Sequence, residues 1–256
     1  MRKAEVRAED ILRRPRRQRL FPAPVSSPIK LDAFQEKAIA FLLDGYSVLV
    51  AAPTGTGKTL IAEKLLEKIL AQDGAGAVYT SPLKALSNQK YRDFGRLFGQ
   101  DRVGLITGDL SINEAAPLLV MTTEIFRNWC FTNPEMLEST SHVIFDEMHY
   151  LDDLDRGTTW EESIIFAPPR IKILGLSATV PNVREIACWM EEVRSCVVKV
   201  IEEKKRAVPL KLGWISPSRE ILEEKEARKE IEERQEIRRV RFGWPGAVKD
   251  KSCYNK

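Results

Sequence analysis

The sequence predicts an α/β domain in which a parallel sheet is covered by helices on both faces. Short, continuously apolar runs recur along the chain, at 46–52, 76–80, 103–107, 118–122, 142–146, 171–176 and 197–201. Amphipathic stretches with helical spacing, such as 58–72 and 82–98, lie between most of these runs. Strands that are apolar throughout and alternate with helices are typical of a parallel sheet whose two faces are both buried.

Composition narrows the class of protein further. Of the 256 residues, 43% are hydrophobic, which is enough to form a core. Another 30% are charged, and this composition is too mixed for a coiled coil. The apolar runs are far shorter than the roughly 20 residues that a membrane span needs. The acidic residues in the first segment, MRKAEVRAEDILRR, fit neither a secretory signal nor a transit peptide. We therefore expect a soluble, cytoplasmic protein.

Three segments differ in composition along the chain. Residues 1–28 form a basic arm and a Pro/Ser-rich linker, with eight Lys or Arg and three Asp or Glu in the first 19 positions. Such an arm can contact phosphates, and it can equally be a solubilising tail. Residues 29–201 carry the α/β pattern, and residues 202–256 form a charged extension.

The charged extension contains a predicted helix at 219–241. Glu224 with Arg228, and Glu230 with Arg234, have the four-residue spacing that supports a helix. Its apolar residues are too few to bury, so we expect the helix to be exposed.

The strongest motif is APTGTGKT at 52–59, which follows a predicted strand and opens a predicted helix. This is the context that a phosphate-binding loop requires. The glycines let the backbone approach phosphate oxygens, and the helix start adds amide donors. Lys58 would reach the β- and γ-phosphates of ATP, and the Thr59 hydroxyl would ligate Mg²⁺. The predicted nucleotide-binding residues are Ala52 (where the strict pattern has Gly), Pro53, Thr54, Gly55, Thr56, Gly57, Lys58 and Thr59.

A second motif, HVIFDEMHY at 142–150, ends a later predicted strand. Asp146 would hold Mg²⁺ through water, which makes Thr59 and Asp146 the predicted metal ligands. Glu147 would orient or deprotonate the attacking water. Acids at strand ends also cap helices, but a phosphate loop earlier in the chain favours the catalytic interpretation.

The third motif, LGLSATVPN at 174–182, places small hydroxyl side chains directly after a predicted strand. Taken alone, Ser177 and Thr179 would be interpreted as turn residues and a helix cap.

Taken in order, these motifs resemble those of the superfamily-two DExH-box helicases, in particular the superkiller-type branch that includes exosome-associated RNA helicases. The resemblance covers about residues 29–212 and includes LDAFQEKAI, APTGTGKT, SPLKALSNQKY, TGD, VMTTEIFRN, FDEMHYLDD, RGTTWEE, LGLSATVPN and VPL. It implies a P-loop NTPase with a RecA-like lobe, the first of two lobes that bind ATP between them and pass a single strand across both.

The resemblance implies roles for further residues near the nucleotide. Gln35 matches the family's glutamine that reads adenine, although Asp32 and Gln35 also have the spacing of a capping box. Ile29 stands where the family usually has an aromatic residue. His149, grouped with the catalytic residues Lys58, Asp146 and Glu147, would couple the nucleotide to the strand site together with Ser177, Ala178 and Thr179. The pairs Arg156-Gly157 and Trp160-Glu161 match a signature that we interpret as structural.

The resemblance also implies contacts with a nucleic-acid strand. The matching positions are Ser81, Pro82, Lys84, Gln89, Thr107, Gly108, Asp109, Thr122, Thr123 and Glu124. With Ser81 as a helix cap and Pro82 in the first turn, backbone amides would point at a phosphate, a contact without sequence preference. Lys84, Gln89 and Arg127 can equally belong to solvated helix faces.

A second RecA-like lobe is expected to be missing. Only 55 residues follow Ile201, fewer than such a lobe needs, and the predicted strand at 208–210 is where the family's chain starts to cross toward it. We expect a first lobe, either truncated or split from its partner, that binds ATP, hydrolyses it slowly and unwinds nothing alone. Its expected partners are a second lobe and single-stranded nucleic acid, with RNA favoured over DNA. The alternatives are a nucleotide-gated binding module with little hydrolysis, and a lobe of a DNA-repair helicase.

Overall fold

The computed structural model describes residues 30–149, 157–206, 208–210, 213–216 and 220–242, with side chains described as far as residue 234 in the last range. The basic arm with its linker, Ile29, Arg156 and residues 243–256 lie outside this part of the chain. The chain divides into two units. The first comprises Met1–Ala52 and Gly57–Glu203, and the second comprises Pro53–Thr56 and Lys204–Lys256.

The first unit is built on one eight-stranded sheet. In chain order, its strands are β1 (Ser47–Ala51), β2 (Gly76–Ser81), β3 (Val103–Thr107), β4 (Leu110–Ile112), β5 (Leu118–Thr122), β6 (Thr140–Phe145), β7 (Lys172–Ser177) and β8 (Val198–Glu202). Their spatial order is β4-β3-β5-β2-β6-β7-β1-β8. The strand pairings are parallel except for the antiparallel pair of β3 and β4.

All seven strands predicted between residues 46 and 201 are present, and one further strand, β4, adds an antiparallel pairing at one edge of the parallel sheet. No local pattern predicts β4, because its three residues are exposed or half-buried and form no apolar run. This strand follows a turn at Gly108-Asp109 and pairs back on β3, with Thr107 opposite Leu110.

Within the described ranges, six helices cover the two faces of the sheet. They are α1 (Ala33–Leu43), α2 (Lys58–Leu70), α3 (Lys84–Phe98), α4 (Thr123–Thr132), α5 (Gly157–Phe166) and α6 (Val183–Arg194). Short 3₁₀ turns lie at Gln100–Arg102 and Pro134–Leu137. Alternate residues of β1 enter different cores: Val48 and Val50 pack with α1, α2 and α3, whereas Leu49 and Ala51 pack with α4, α5 and α6. Burial on both faces explains why the strand is apolar throughout.

The start of α3 corrects one sequence prediction. The helix begins at Lys84 with Leu83 as its N-cap, so Ser81 is not the cap and Pro82 is not in the first turn. Ser81 instead continues β2, where it is aligned with Thr122 of β5. Its buried hydroxyl bonds to the Ser87 hydroxyl at 2.7 Å. Ser81 therefore belongs to strand β2, and the helix starts three residues later.

The second unit contains a short antiparallel pair and a helix. Strands β9 (Trp214–Ile215) and β10 (Ile221–Leu222) pair with each other, and α7 (Glu224–Phe242) follows. The predicted strand at 208–210 is wrong: these residues lie in no strand, and the Val208 and Leu210 side chains are exposed. Helix α7 confirms the predicted charged helix, although it starts five residues later than expected.

The two predicted ion pairs of α7 are both present. Arg228 lies 2.7 Å from Glu224, and Arg234 lies 2.9 Å from Glu230. Because these pairs are exposed to solvent, each contributes less than about 1 kcal/mol to stability. Across the described ranges, no helix is both long and apolar enough to cross a membrane.

Replacing Arg194 should destabilise the first unit strongly. This side chain is 8% exposed and donates to the carbonyl oxygens of Ile164, Ala167, Pro168 and Ile171 at 2.8–3.2 Å. Arg194→Met keeps the apolar stem and leaves all four carbonyls without this donor. We expect the free energy of unfolding to fall by about 3 kcal/mol or more, measured by urea denaturation.

The matched control is Arg184→Met on the same helix. Arg184 is 83% exposed and pairs with Glu202 at 2.9 Å. An exposed pair of this kind contributes less than about 1 kcal/mol. Equal, small effects of the two substitutions would contradict the structural role assigned to Arg194.

Candidate active site

The predicted functional residues gather at the carboxyl ends of the parallel strands, in two adjacent groups. In one half of the sheet, Asp146 follows β6, Ser177 ends β7 and Ala52 follows β1, and these three strands are neighbours. In the other half, Ser81, Thr122 and Thr107 end β2, β5 and β3, which are also neighbours. Ligands of open α/β sheets bind at this edge.

The glycines of APTGTGKT adopt the backbone conformation that the motif requires. Gly55 has φ of 87° and Gly57 has φ of 79°, a left-handed region that favours glycine. Gly57 is the N-cap of α2, so the helix begins at Lys58. Within the loop, the Thr56 hydroxyl donates to the Pro53 carbonyl at 2.8 Å.

Lys58 lies close to both predicted catalytic acids. Its ammonium group donates to the Ala52 carbonyl at 2.7 Å. Burial lowers the pKa of Lys58, and the negative charges of Glu147 and Asp146 act in the opposite direction. The structure therefore brings the three groups within electrostatic reach of one another.

Gln35 links α1 to the start of α2. Its Oε1 accepts from the Asp32 amide at 2.9 Å, which confirms the predicted capping box. Its Nε2 donates to the Gly57 carbonyl at 3.1 Å. Gln35 is only 3% exposed, so in this structure the amide is occupied by the protein itself.

Asp146 is held by hydrogen bonds at both carboxylate oxygens. Oδ2 accepts from the Tyr79 hydroxyl at 2.5 Å, and Oδ1 accepts from the Glu147 amide at 3.0 Å. Sequence reasoning missed Tyr79, because it lies in an apolar strand and looks like an ordinary core residue. The one signal in the sequence is that Tyr79 brings a polar hydroxyl into a strand that is otherwise expected to be buried.

Glu147 follows in an uncommon backbone conformation. Its φ of 55° lies in the left-handed region, which non-glycine residues seldom adopt outside special sites. Its Oε2 lies 3.3 Å from Nδ1 of His149, and both side chains are partly exposed. The acid is thus accessible from solvent and has a titratable neighbour.

A chain of contacts connects the two predicted metal ligands. The Lys90 ammonium lies 3.3 Å from the Thr59 hydroxyl and 5.6 Å above the ring of Tyr79, whose hydroxyl contacts Asp146. Hydroxyl and carboxylate oxygens are the hard donors that Mg²⁺ prefers, and the metal normally adds phosphate and water oxygens. The residues present therefore fit a magnesium ion that arrives with a nucleotide.

The predicted coupling residues lie beside this group. Ser177 is aligned with Ala51 in the parallel ladder, and it shares a small apolar pocket with His149 and Met148. Within the described residues, the buried Ser177 hydroxyl has no hydrogen-bond partner. Ala178 is half-buried and Thr179 is exposed.

Three predicted strand-contact residues form one small cluster. Lys84 pairs with Asp109 at 2.8 Å, and the Thr107 hydroxyl donates to the same Asp109 oxygen at 3.1 Å. The hydrogen bonds from Lys84 and Thr107 lower the pKa of Asp109. Gly108 is exposed in the turn next to Asp109. Gln89 is exposed on α3, the helix that begins at Lys84.

The remaining predicted strand contacts are less accessible. Ser81, Pro82, Thr122 and Thr123 are buried, Thr123 being 1% exposed, so these residues present little surface to a strand in this structure. Glu124 is half-buried. The Arg127 guanidinium lies 3.4 Å from the Glu162 carboxylate, so it is not an unpaired cation.

Trp160, from the signature that we interpret as structural, lies in the core. It is buried, and its ring lies 5.3 Å from that of Phe145, at the end of the strand that leads to Asp146. Glu161 is exposed on the same helix.

Comparisons with a family model and with known proteins all point to helicases. A family model described as "DEAD/DEAH box helicase" matches residues 32–186. The antiviral helicase SKI2 of Saccharomyces cerevisiae is 46% identical over 195 residues, covering 76% of this chain and 15% of that protein. The probable helicase HelY of Mycobacterium tuberculosis is 46% identical over 183 residues, covering 72% of this chain and 20% of that protein.

A plant relative shows the same partial coverage. The chloroplastic DExH-box ATP-dependent RNA helicase DExH15 of Arabidopsis thaliana is 45% identical over 187 residues, covering 71% of this chain and 16% of that protein. The chain thus spans 15–20% of the length of these three relatives.

Solved structures confirm the RecA-like fold. The helicase Lhr of Mycobacterium smegmatis, bound to ssDNA and AMP-PNP, matches with a TM-score of 0.57 and 27% identity, over 70% of this chain and 26% of that one. The Hef helicase domain of Pyrococcus furiosus matches with a TM-score of 0.51 and 25% identity, over 67% of this chain and 38% of that one.

Proposed function

Because the chain belongs to the DEAD/DEAH box helicase family, we propose that it is the ATP-binding and ATP-hydrolysing lobe of a nucleic-acid-dependent helicase. The observation that supports this most is the placement of Lys58, Asp146 and Glu147 within electrostatic reach of one another at the strand ends. A module that only bound nucleotide would have no chemical need for all three groups. In this proposal, hydrolysis moves or remodels a single strand.

Each residue near the phosphate loop has a distinct task in the proposed reaction. Lys58 would exchange the Ala52 carbonyl for the β- and γ-phosphates. Thr59 and Asp146 would hold magnesium, which neutralises charge on the phosphate oxygens when it is bound. Glu147 would orient the attacking water and accept its proton. Gln35 would pair with the adenine edge, after its amide turns from the protein contacts that it makes here.

We propose RNA as the strand and a second RecA-like lobe, in cis or in trans, as the partner that completes the site. The name of DExH15 supports RNA, whereas Lhr was solved with ssDNA, so a DNA-repair role is the alternative. The exposed side chains of Lys84, Gln89 and Asp109 are the first candidates for strand contact. His149 with Ser177, Ala178 and Thr179 would couple the state of the nucleotide to the strand site. The proposed cellular compartment is the cytoplasm.

Steady-state ATP turnover tests this proposal, measured alone and with RNA or DNA strands of equal sequence. We expect weak turnover that RNA stimulates and that Lys58→Ala removes, and no unwinding by the 256-residue chain. The weakness follows because arginines from a second lobe can contribute roughly 10³–10⁵ in rate. Equal stimulation by DNA would favour the repair alternative. ATP binding with no turnover under any condition would favour the nucleotide-gated module.

A further inference from the structure

The Tyr79 hydroxyl makes a buried contact that the proposed reaction does not yet use. Tyr79 lies in β2, is 0% exposed and donates to Oδ2 of Asp146 at 2.5 Å. A buried tyrosine hydroxyl needs a partner, and a carboxylate is the strongest acceptor available. The hydroxyl is therefore the donor and the Asp146 carboxylate the acceptor in this contact.

This contact determines the orientation of the carboxylate. The Glu147 amide occupies Oδ1 of Asp146 at 3.0 Å, while Tyr79 occupies Oδ2. Two donors on different oxygens prevent the carboxylate from rotating freely. Each carboxylate oxygen still has a second lone pair, which remains for a metal ion or its water.

The ring that carries the hydroxyl is itself held in place. Phe94 of α3 packs edge-on against it, with ring centroids 5.0 Å apart at 72°. The Lys90 ammonium lies 5.6 Å from the ring centroid and 3.3 Å from the Thr59 hydroxyl. Helix α3 therefore fixes the tyrosine, and one of its cations reaches the other predicted metal ligand.

We propose that Tyr79 is a positioning residue for the metal site: it holds the carboxylate of Asp146 in the orientation that receives a magnesium–nucleotide complex. This inference rests on the proposed function, since it assumes that Asp146 holds magnesium. It adds a residue to the site that lies 67 positions away from Asp146 in the chain. A purely structural tyrosine would leave the magnesium dependence of nucleotide binding unchanged.

The test is Tyr79→Phe in the 256-residue chain, which keeps the ring and its contact with Phe94 and removes only the hydroxyl. Binding of a fluorescent ATP analogue is measured in a magnesium titration and again in EDTA. We expect the magnesium midpoint to rise about tenfold, because partners behind a metal ligand typically change metal affinity by 10–100-fold. The affinity in EDTA should stay at the wild-type value.

The matched control is Tyr91→Phe, which removes a hydroxyl from α3 outside the Asp146 contact and should not change the midpoint. Because Tyr79 acts through Asp146, adding Tyr79→Phe to Asp146→Asn should produce no further change. A Tyr79→Phe midpoint within twofold of wild type would overturn the proposal. So would equal losses of affinity with magnesium and in EDTA together with a lowered melting temperature, which would indicate a role in folding alone. A wild-type chain whose binding ignored magnesium would instead contradict the proposed function, and the inference with it.

Discussion

Glu147→Gln should lower ATP turnover by roughly 10²–10⁴-fold while nucleotide binding is retained. The amide has nearly the same shape as the carboxylate and can keep a polar contact with His149, which lies 3.3 Å away in the present structure. It cannot, however, accept a proton from the attacking water. The measurement is single-turnover hydrolysis with saturating single-stranded RNA, beside a binding titration with a fluorescent ATP analogue.

The matched control for this variant is Glu67→Gln. Glu67 is an exposed acid farther along α2 that pairs with Lys64 at 2.7 Å. Its replacement should leave turnover and binding unchanged. If Glu147→Gln hydrolysed ATP at the wild-type rate, Glu147 would not be the residue that activates water.

Lys58→Ala should weaken ATP binding by about 10–100-fold and remove detectable turnover, because an ammonium–phosphate contact is charge-assisted and desolvated. The side chain is half-buried at the start of α2, where it now donates to the Ala52 carbonyl at 2.7 Å. The alanine variant keeps helix propensity, so loss of folding is not expected. Binding is measured by the same fluorescent titration.

The control for this second variant is Lys64→Ala, on the same helix. The Lys64 side chain is 40% exposed and pairs with Glu67 at 2.7 Å. We expect wild-type ATP affinity for it. Equal affinities of the Lys58 and Lys64 variants would remove Lys58 from the nucleotide site.

Much of the fold was predictable, because the relevant signals are local. A strand that is buried on both faces must be apolar at every position, as Ser47–Ala51 nearly is, and the spacing of glycines in APTGTGKT follows from their left-handed backbone. The charged helix at Glu224–Phe242 is likewise predictable from opposite charges four residues apart.

The features that sequence reasoning missed depend on contacts between distant segments. Strand β4 has no apolar pattern and exists because β3 offers an edge to pair with. Ser81 has the residue type and spacing of a helix cap, but its ladder with Thr122 places it in β2. The contact of Tyr79 with Asp146 requires β2 and β6 to be neighbours, which no local pattern indicates. The same holds for Lys84, whose exposed cation is already paired with Asp109.

Calorimetric titration of the 256-residue chain with ATP would show whether the strand ends of the first unit bind a magnesium–nucleotide complex through Lys58. We predict one ATP bound per chain in the presence of magnesium, weaker binding in EDTA, and a loss of affinity in Lys58→Ala. The absence of ATP binding, or binding that is indifferent to both magnesium and Lys58, would exclude a nucleotide site of this kind at the strand ends.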